Sequence, residues 1–220
     1  MVKIERSFPA PESLSREALK KSGTYNQEDV FKRLVQDFHG KCYICGLGNL
    51  QDPQIEHRLP HKGGKYRDRM FDWENLFLAC GHCNGVKAQK KYDEGIIDCC
   101  REDPEQYINF RCNSKNVELT SKVSEENREV ELTIMLIREV FNLRSPAMRS
   151  YKSARRFQGL QMEMNMLLDN LEALRDQPDS KVVLRKLKAL LRRESQFAAF
   201  KRCYVRDHLS EYPELKKYLV

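Results

Sequence analysis

The sequence has no apolar stretch close to the roughly 20 residues that a membrane-spanning helix needs, which argues against a membrane partner. Its start, MVKIERSFPAPESL, has neither the apolar run nor the small-residue cleavage site of a signal peptide. There is also no internal repeat and no low-complexity tract. The absence of a signal peptide and of a membrane span predicts a cytoplasmic protein, in which eight cysteines indicate metal ligands or free thiols rather than disulfides.

The charge balance is moderately basic, with 39 Lys and Arg against 32 Asp and Glu and a formal net charge of +7. Two segments hold much of the excess, because residues 144–160 and 181–193 contain several Lys and Arg and no acid. Such segments are able to contact phosphates. They are equally typical of solvated helix faces, and the sequence leaves both interpretations open.

Composition divides the chain into four parts. Residues 1–40 read as a helical entry segment, and residues 123–220 read as a helical C-terminal region with apolar stripes at helical spacing. Residues 41–92 concentrate Gly, Cys, His, Asn and Pro, and residues 93–122 look like a connecting segment. Because the part at 41–92 has too few apolar residues to be stable alone, we expect a bound metal ion to stabilise it.

Local patterns place several elements. In the entry segment a helix is expected between an N-cap at Asn26 and a stop at Gly40. "NLFLAC" reads as a short strand leading into a short basic helix, and one short helix is expected near residues 105–110. The predicted fold is therefore mainly α with a small α+β insert.

Two CxxC pairs, Cys42/Cys45 and Cys80/Cys83, supply the four thiolates of a tetrahedral structural zinc. The alternative, unrelated thiols, requires two coincidental CxxC pairs in one glycine-rich segment. The spacing between Cys45 and Cys80 exceeds the roughly 15–20 residues of a simple zinc ribbon, so an additional unit must be folded into it. A closed four-cysteine site leaves no open coordination position for catalysis.

The remaining candidates for a metal site are set aside on their surroundings. His82 lies inside the second CxxC turn, where we expect it to be exposed and inert. The other cysteines have no ligand-like spacing and are expected to be free thiols: Cys99, Cys100, Cys112 and Cys203.

The motifs between and around the cysteines resemble the HNH endonucleases with the ββα-metal fold. The family pattern is a CxxC, an acid-His pair, a proline, a Gly-Gly loop, Asn-Leu, and a second CxxC followed by His or Asn and a Lys. The sequence matches it in order as "CYIC", "IEHRLPHKGG", "ENLFLACGHCN" and "VK". The resemblance covers about a quarter of the chain and implies a zinc-stapled ββα-metal motif followed by the helical region.

The resemblance implies a role for each matching residue. His57 would be the general base that takes a proton from the attacking water, and Asn75 would brace the loop that carries it. Glu56 and Asn84 would hold one divalent cation, Mg²⁺ or Mn²⁺, against the scissile phosphate. Lys87 would contact a neighbouring phosphate.

Two positions depart from the usual family pattern. Glu56 stands where most members have Asp, and its extra methylene puts the position of the metal in question. Asn84 stands where many members have His, which makes the chain an HNN variant and favours Mg²⁺ or Mn²⁺ over softer metals. His61 is a further candidate for substrate contact, with a bystander role as the alternative.

The order of parts is similar to that of the HNH subunit of Septu-type antiphage systems, some of them retron-associated. This resemblance implies an effector nuclease of bacterial antiviral defence that cuts nucleic acid, with DNA favoured and RNA as the other substrate. It also implies an ABC-like ATPase partner docked on the helical region. The alternative from another class is a non-catalytic zinc-knuckle protein that binds nucleic acid or serves as an adaptor.

Overall fold

Helices form most of the chain, and two small antiparallel sheets lie among them. A computed structural model describes residues 1–219. The α-helices and strands follow in the order α1 (Glu12–Ala18), α2 (Glu28–Asp37), β1 (Pro53–His57), α3 (Arg67–Phe71), β2 (Leu76–Cys80), α4 (Gly81–Lys87), α5 (Pro104–Tyr107), β3 (Ile108–Cys112), β4 (Val117–Ser121), α6 (Arg128–Asn142), α7 (Ala147–Asp176), α8 (Lys181–Leu191) and α9 (Ala198–Asp207). Short 3-10 turns cover Trp73–Asn75, Lys90–Tyr92 and Pro213–Tyr218.

The prediction of a mainly α chain with a small β component is confirmed at this level. None of the helices in the described part of the chain is both long enough and apolar enough to cross a bilayer.

The first sheet and the helix after it form a compact ββα unit. β1 pairs antiparallel with β2, so that Pro53 lies opposite Cys80 and His57 lies opposite Leu76. β2 continues without a loop into α4, because the sulfur of Cys80 accepts a hydrogen bond from the N–H of Cys83 and caps the helix. All five residues of β2 are buried, which explains why "LFLAC" is a continuous apolar run rather than an alternating one.

Helix α2 packs its apolar stripe against this unit. Val30, Leu34 and Phe38 are fully buried, and α2 lies on β2. The helix begins at Glu28, and no side chain caps it, so the predicted cap at Asn26 is wrong by one position. At the other end Gly40 has φ 64° and its N–H bonds the carbonyl of Val35 at 2.8 Å, which is a glycine stop of the predicted kind.

The segment at 93–122, predicted to be a connecting segment, contains a β-hairpin. The helix expected over residues 105–110 is one turn long, because Ile108 and Phe110 are buried in alternation with polar neighbours and continue as β3. β3 pairs antiparallel with β4 from Ile108 opposite Ser121 to Cys112 opposite Val117. β3 packs on α9 and β4 on α6, so the hairpin is part of the helical region's core.

The four C-terminal helices are held to the ββα unit. α6 packs against both α7 and α4, α7 against α8 and α9, and α8 against α9. Buried side chains of the two parts belong to one hydrophobic cluster. Consequently the helical region directly supports the back of the four-cysteine site.

Candidate metal centre and active-site cleft

The four cysteines of the CxxC pairs come together at one end of the ββα unit. Cys42 and Cys45 lie in the loop between α2 and β1, and Cys80 and Cys83 lie at the junction of β2 with α4. Their sulfur atoms lie within 4.8 Å of one another, and all four residues are buried. The cluster has the ligand number and spacing needed to hold one metal ion.

Local backbone geometry fixes the first pair. Gly46, directly after Cys45, has φ 78°, and its N–H bonds the carbonyl of Cys42 at 2.9 Å to close the turn. A β-carbon at this position would lie 3.2 Å from the backbone of Phe197. Glycine is therefore required here both by the left-handed conformation and by the close approach of the helical region.

Burial makes a cation necessary if these sulfurs are to ionise together. Burial raises the pKa of the Cys42 and Cys83 thiols well above the ordinary value. A buried thiolate is costly without a compensating positive charge. A bound metal ion supplies that charge, since coordination deprotonates a thiol outright.

A second positive charge reaches the cluster from the helical region. Arg156 of α7 is buried, and its Nη2 donates to the sulfur of Cys80 at 3.0 Å. Burial disfavours the charged guanidinium, but the four sulfurs outweigh burial and raise the pKa of Arg156. This contact could not be predicted from the sequence, because Arg156 lies 76 positions after Cys80 in an ordinary basic segment.

His82 ties the same end of α4 to the helical region. The expectation that it is exposed is wrong, since only 6% of its surface is accessible. Its Nε2 lies 3.0 Å from the carbonyl oxygen of Val140 in α6 and 3.4 Å from the hydroxyl of Ser153 in α7. A carbonyl only accepts, so Nε2 carries the hydrogen, and His82 acts as a structural donor.

An open cleft of about 280 Å³ on the ββα unit is lined by most of the predicted active-site residues. Glu56 and His57 line it from the end of β1, and Asn84 and Lys87 line it from α4. His61, from the loop after β1, forms part of the rim. Residues that are 30 positions apart in sequence therefore meet at one surface.

His57 has the tautomer that a general base requires. Its Nε2 lies 3.1 Å from the carbonyl oxygen of Met70, and a carbonyl accepts only, so Nε2 carries the hydrogen. In the neutral ring Nδ1 is then the unprotonated nitrogen. Burial lowers the pKa of His57, with the nearby His61 and Lys87 acting in the same direction, so the ring is neutral at pH 7.

Glu56 is held in a buried network. Its carboxylate accepts from the hydroxyl of Tyr43 on one oxygen and lies 2.6 Å from Nζ of Lys87 on the other. Burial, together with the Glu56 charge, raises the pKa of Tyr43, so the phenol remains a donor. The three side chains are almost wholly buried, which makes the ion pair strongly coupled.

Lys87 is fully engaged in this network. Besides Glu56, its ammonium donates to the carbonyl oxygens of His57 at 3.0 Å and Arg58 at 2.9 Å. All three of its donors are thereby used within the fold. In this arrangement Lys87 fixes the end of β1, on which His57 stands, rather than extending toward solvent.

Asn75 crosses the loop that follows His57. Its side-chain oxygen accepts from the N–H of Leu59 at 2.8 Å, and its amide donates to the carbonyls of Leu59 and Arg69 at 2.8 and 2.9 Å. Its own carbonyl accepts from the N–H of Arg58 at 3.0 Å. The buried asparagine thus joins the backbone after His57 to that just before Met70, the residue that binds the imidazole.

Asn84 and His61 are less constrained. No side-chain hydrogen bond to Asn84 is formed within residues 1–219, and the residue is half-buried at the cleft wall. Nδ1 of His61 accepts from the N–H of Gly64 at 3.0 Å, which leaves its Nε2–H directed away from that turn. The imidazole centres of His61 and His57 lie 4.6 Å apart.

Two tyrosines of the site were not identified from the sequence. The ring of Tyr25 stands edge-on to His57 with 4.4 Å between ring centres and lines the cleft. Tyr43 bonds Glu56 from inside the first CxxC pair. The place of Tyr43 near the site could have been predicted, since it lies between Cys42 and Cys45 in the sequence. Tyr25 precedes the motif, and no sequence pattern indicated its role.

Comparison with known proteins does not extend these observations. No protein-family model matches the chain, and no curated protein matches it at a significant level.

Proposed function

We propose that the chain is a metal-dependent HNH endonuclease that hydrolyses phosphodiester bonds, with DNA as the favoured substrate and RNA as the other. The proposal is supported above all by one observation. His57, Glu56 and Asn84 line one cleft on a strand–strand–helix unit, and the same unit carries four clustered cysteines.

The metal held by the four cysteines is proposed to be zinc. Four thiolates in a closed, buried site are the preferred ligand set of a structural zinc ion. Tyr43 lies between two of these ligands and bonds Glu56, so the same ion would also position the cleft. The zinc ion therefore has a structural role and not a catalytic one.

His57 is proposed to take the proton of the attacking water at Nδ1. The water oxygen then bonds to phosphorus, the bond from phosphorus to the 3′ oxygen breaks, and that oxygen takes a proton from solvent. The carbonyl of Met70 holds Nε2–H, and Asn75 holds the backbone on both sides. Such positioning fixes the imidazole in the orientation that the proton transfer needs.

The donors in the cleft fit one hydrated Mg²⁺ or Mn²⁺. Asn84 has a side-chain oxygen that no residue in the described chain occupies, and each Glu56 oxygen keeps a lone pair beyond its bond to Tyr43 or Lys87. A hard cation with few protein ligands and several waters is the usual arrangement for such donors. When bound, the cation supplies positive charge to the phosphate and the leaving oxygen.

Replacing Asn84 tests the cation site without disturbing the fold. Asn84→Ala removes an oxygen donor but no hydrogen bond, and alanine favours the helix. We expect the Mg²⁺ concentration for half-maximal nicking of supercoiled plasmid to rise about tenfold or more, since even supporting partners of a metal ligand are worth about 10–100-fold. Nicking is measured against Mg²⁺ concentration.

Asn84→Asp is the matched variant for this test. It restores an oxygen donor and adds a negative charge, so the Mg²⁺ requirement should return to the wild-type value or fall below it. Equal Mg²⁺ dependence of both variants and the wild type would remove Asn84 from the cation site. Parallel assays with single-stranded DNA and RNA identify the preferred substrate.

Replacing Arg156, which contacts a proposed zinc ligand without being one, tests the zinc assignment. Arg156→Met removes the charge and the hydrogen bond to Cys80, and we expect zinc affinity in a chelator competition to fall about 10–100-fold. Arg155→Met is the control, because Arg155 is exposed on the same helix and, among residues 1–219, its side chain bonds only Gln158. Equal zinc retention by the two variants would show that Arg156 does not stabilise the metal centre.

One observation favours the second candidate, a non-catalytic zinc-knuckle protein that binds nucleic acid or acts as an adaptor. Both oxygens of Glu56 are engaged by Tyr43 and Lys87, which would suit a purely structural carboxylate. Nucleic-acid binding without cleavage, over a full set of divalent cations and with partner proteins present, would support this candidate. Cleavage that depends on His57 and on Mg²⁺ excludes it.

The biological setting is proposed to be bacterial antiphage defence with an ABC-like ATPase. The proposal rests on the order of parts, and α7 offers a surface for such a partner. Large apolar side chains are exposed along it, with Met148, Tyr151 and Met162 each more than two-thirds accessible. Methionine-rich surfaces adapt readily to partners. Co-purification with the product of a neighbouring ATPase gene is the corresponding test.

A further inference from the structure

A second cavity, larger than the cleft at His57, lies among basic side chains. It has a volume of about 410 Å³, within the roughly 300–1,000 Å³ range of small-molecule sites. Its walls come from five parts of the chain: the N-terminal segment at 3–5, the turn at 39–41, the end of α8 with the loop after it at 188–194, Arg202 of α9, and the C-terminal turn at 217–218.

The lining cations exceed the lining acids. Two of the arginines have carboxylate partners, since Arg193 bonds Asp103 at 2.8 Å and Arg202 bonds Glu105 at 2.9 Å. Three exposed cations form no ion pair with any residue of 1–219: Lys188, Arg192 and Lys217. Glu5 and Glu194 are the acids of the wall, so the cavity retains a clear positive excess.

Lys41 adds a buried charge to this excess. Only 6% of the residue is accessible, and its ammonium donates to the backbone carbonyls of Arg193 and, at 3.1 Å, Ser195. No carboxylate of the described chain lies within ion-pair distance.

Arg193, which also lines the cavity, has a buried hydrogen-bond donor without an acceptor among residues 1–219. Nε of Arg193 is buried and has no hydrogen-bond acceptor within the described residues. An unpaired buried donor costs free energy until an acceptor reaches it. Lys41 and Arg193 both line the cavity, so an anion bound there would place negative charge beside these two cations.

Helix capping explains only part of the arrangement. Cations at the end of a helix complement its dipole, which accounts for Lys188 in the last turn of α8. The helix dipole does not explain why Lys3 of the N-terminal segment and Lys217 of the C-terminal turn line the same cavity. Convergence of cations from separate elements is the feature that a ligand site requires.

We propose that this cavity binds the phosphate groups of a nucleotide, either a free nucleoside triphosphate or the terminal nucleotide of a nucleic-acid strand. Lysine and arginine side chains are the usual partners of phosphate oxygens. Tyr218 at the rim, beside Lys217, offers an aromatic surface for a base. The site is distinct from the cleft at His57 and does not rest on the nuclease assignment.

Binding to the full chain is measured by calorimetry with three probes: ATP, inorganic tripolyphosphate, and a short oligonucleotide with or without a 5′ phosphate. Lys188→Ala/Lys217→Ala is the test variant, because both side chains are exposed and their loss leaves the core intact. Lys181→Ala/Lys186→Ala is the control, since these exposed lysines on α8 remove the same charge outside the cavity.

We expect saturable binding of a phosphate probe, weakened about tenfold or more by the test variant and less than twofold by the control. Tighter binding of ATP than of the oligonucleotide identifies a free nucleotide as the ligand, and dependence on the 5′ phosphate identifies a strand end. Equal weakening in both variants would reduce the effect to general surface charge and overturn the proposal. Absence of saturable binding with every probe would also overturn it. His57→Ala should leave binding unchanged, which separates this result from the fate of the nuclease assignment.

Discussion

Replacing His57 with alanine should lower the rate of phosphodiester cleavage by about 10²- to 10⁴-fold, the usual contribution of a positioned general base. The imidazole lines the cleft, its Nε2–H is held by the carbonyl of Met70, and Nδ1 is left to accept a proton. The loss should appear in kcat under saturating substrate and Mg²⁺, because binding of the phosphodiester does not depend on this nitrogen.

The fold should tolerate the change. His57→Ala removes one hydrogen bond to a carbonyl, worth about 0.5–1.5 kcal/mol, and an edge contact with Tyr25. A loss of 1 kcal/mol in a chain of this size shifts the melting temperature by about 2–4 °C. The proposed zinc should remain bound at one ion per chain.

His61→Ala is the matched control, since this imidazole lies 4.6 Å from that of His57 in the same cleft. Its Nδ1 already accepts from Gly64, so it lacks the free basic nitrogen and its loss should reduce cleavage by less than about tenfold. If His57→Ala cleaves as fast as the wild type with zinc and melting unchanged, the assigned mechanism is wrong. If the two variants lose the same activity, His57 has no special role as the base.

The sequence was most informative where the chemistry is local. A CxxC spacing by itself brings two sulfurs to one ion, and "LFLAC" followed by the second pair predicted a strand running into a helix, as observed. The glycine stop at Gly40 followed from the same kind of short-range geometry. In each case a few neighbouring residues determine the outcome.

Contacts between distant residues were not predictable in this way. Arg156 reaches Cys80 across 76 positions, and His82 is buried because α6 and α7 cover the second CxxC turn. The hairpin β3–β4 was missed because "INFRC" and "VELTS" are short, mixed segments whose pairing depends on packing against α6 and α9. No local pattern records which helix will cover a given turn.

The contact between Glu56 and Lys87 in the cleft was also not predictable from local sequence patterns. The resemblance placed Glu56 on a metal and Lys87 on a phosphate, each as a separate contact. In the fold they form an ion pair of 2.6 Å with both side chains almost fully buried. A position in a motif predicts that a residue lies at the site, whereas its charge partner depends on which side chains are buried together.

Replacing Cys42 with serine should cause the largest loss of stability in the chain. Serine is a poor zinc ligand, and a structural zinc contributes about 10–16 kcal/mol of apparent binding free energy in isolated zinc-finger peptides. That range equals or exceeds the roughly 5–15 kcal/mol by which whole domains are stable. We therefore expect zinc content to fall from one ion per chain to nearly none. The ββα unit of the variant should already be unfolded at temperatures at which the wild type is fully folded.

Cys203→Ser separates loss of a ligand from loss of a buried thiol. Cys203 is also buried but lies in α9, outside the sulfur cluster. It should keep its zinc and lose only about 1–3 kcal/mol, the usual range for a buried polar substitution. Zinc is measured by metal analysis, and unfolding by circular dichroism with and without a chelator. A Cys42→Ser protein that retains one zinc and melts like Cys203→Ser would contradict the assignment of the metal centre.

The same variant should also lose cleavage, and for a reason that differs from that of His57→Ala. Tyr43 follows Cys42 directly and donates to Glu56, so release of the first CxxC pair removes one of the two partners that hold this buried carboxylate. Excess Mg²⁺ should not restore activity, because the oxygen donors themselves are displaced. His57→Ala should thus be inactive with the proposed zinc bound and the fold intact, whereas Cys42→Ser should be inactive because it loses the metal that is proposed to support the cleft.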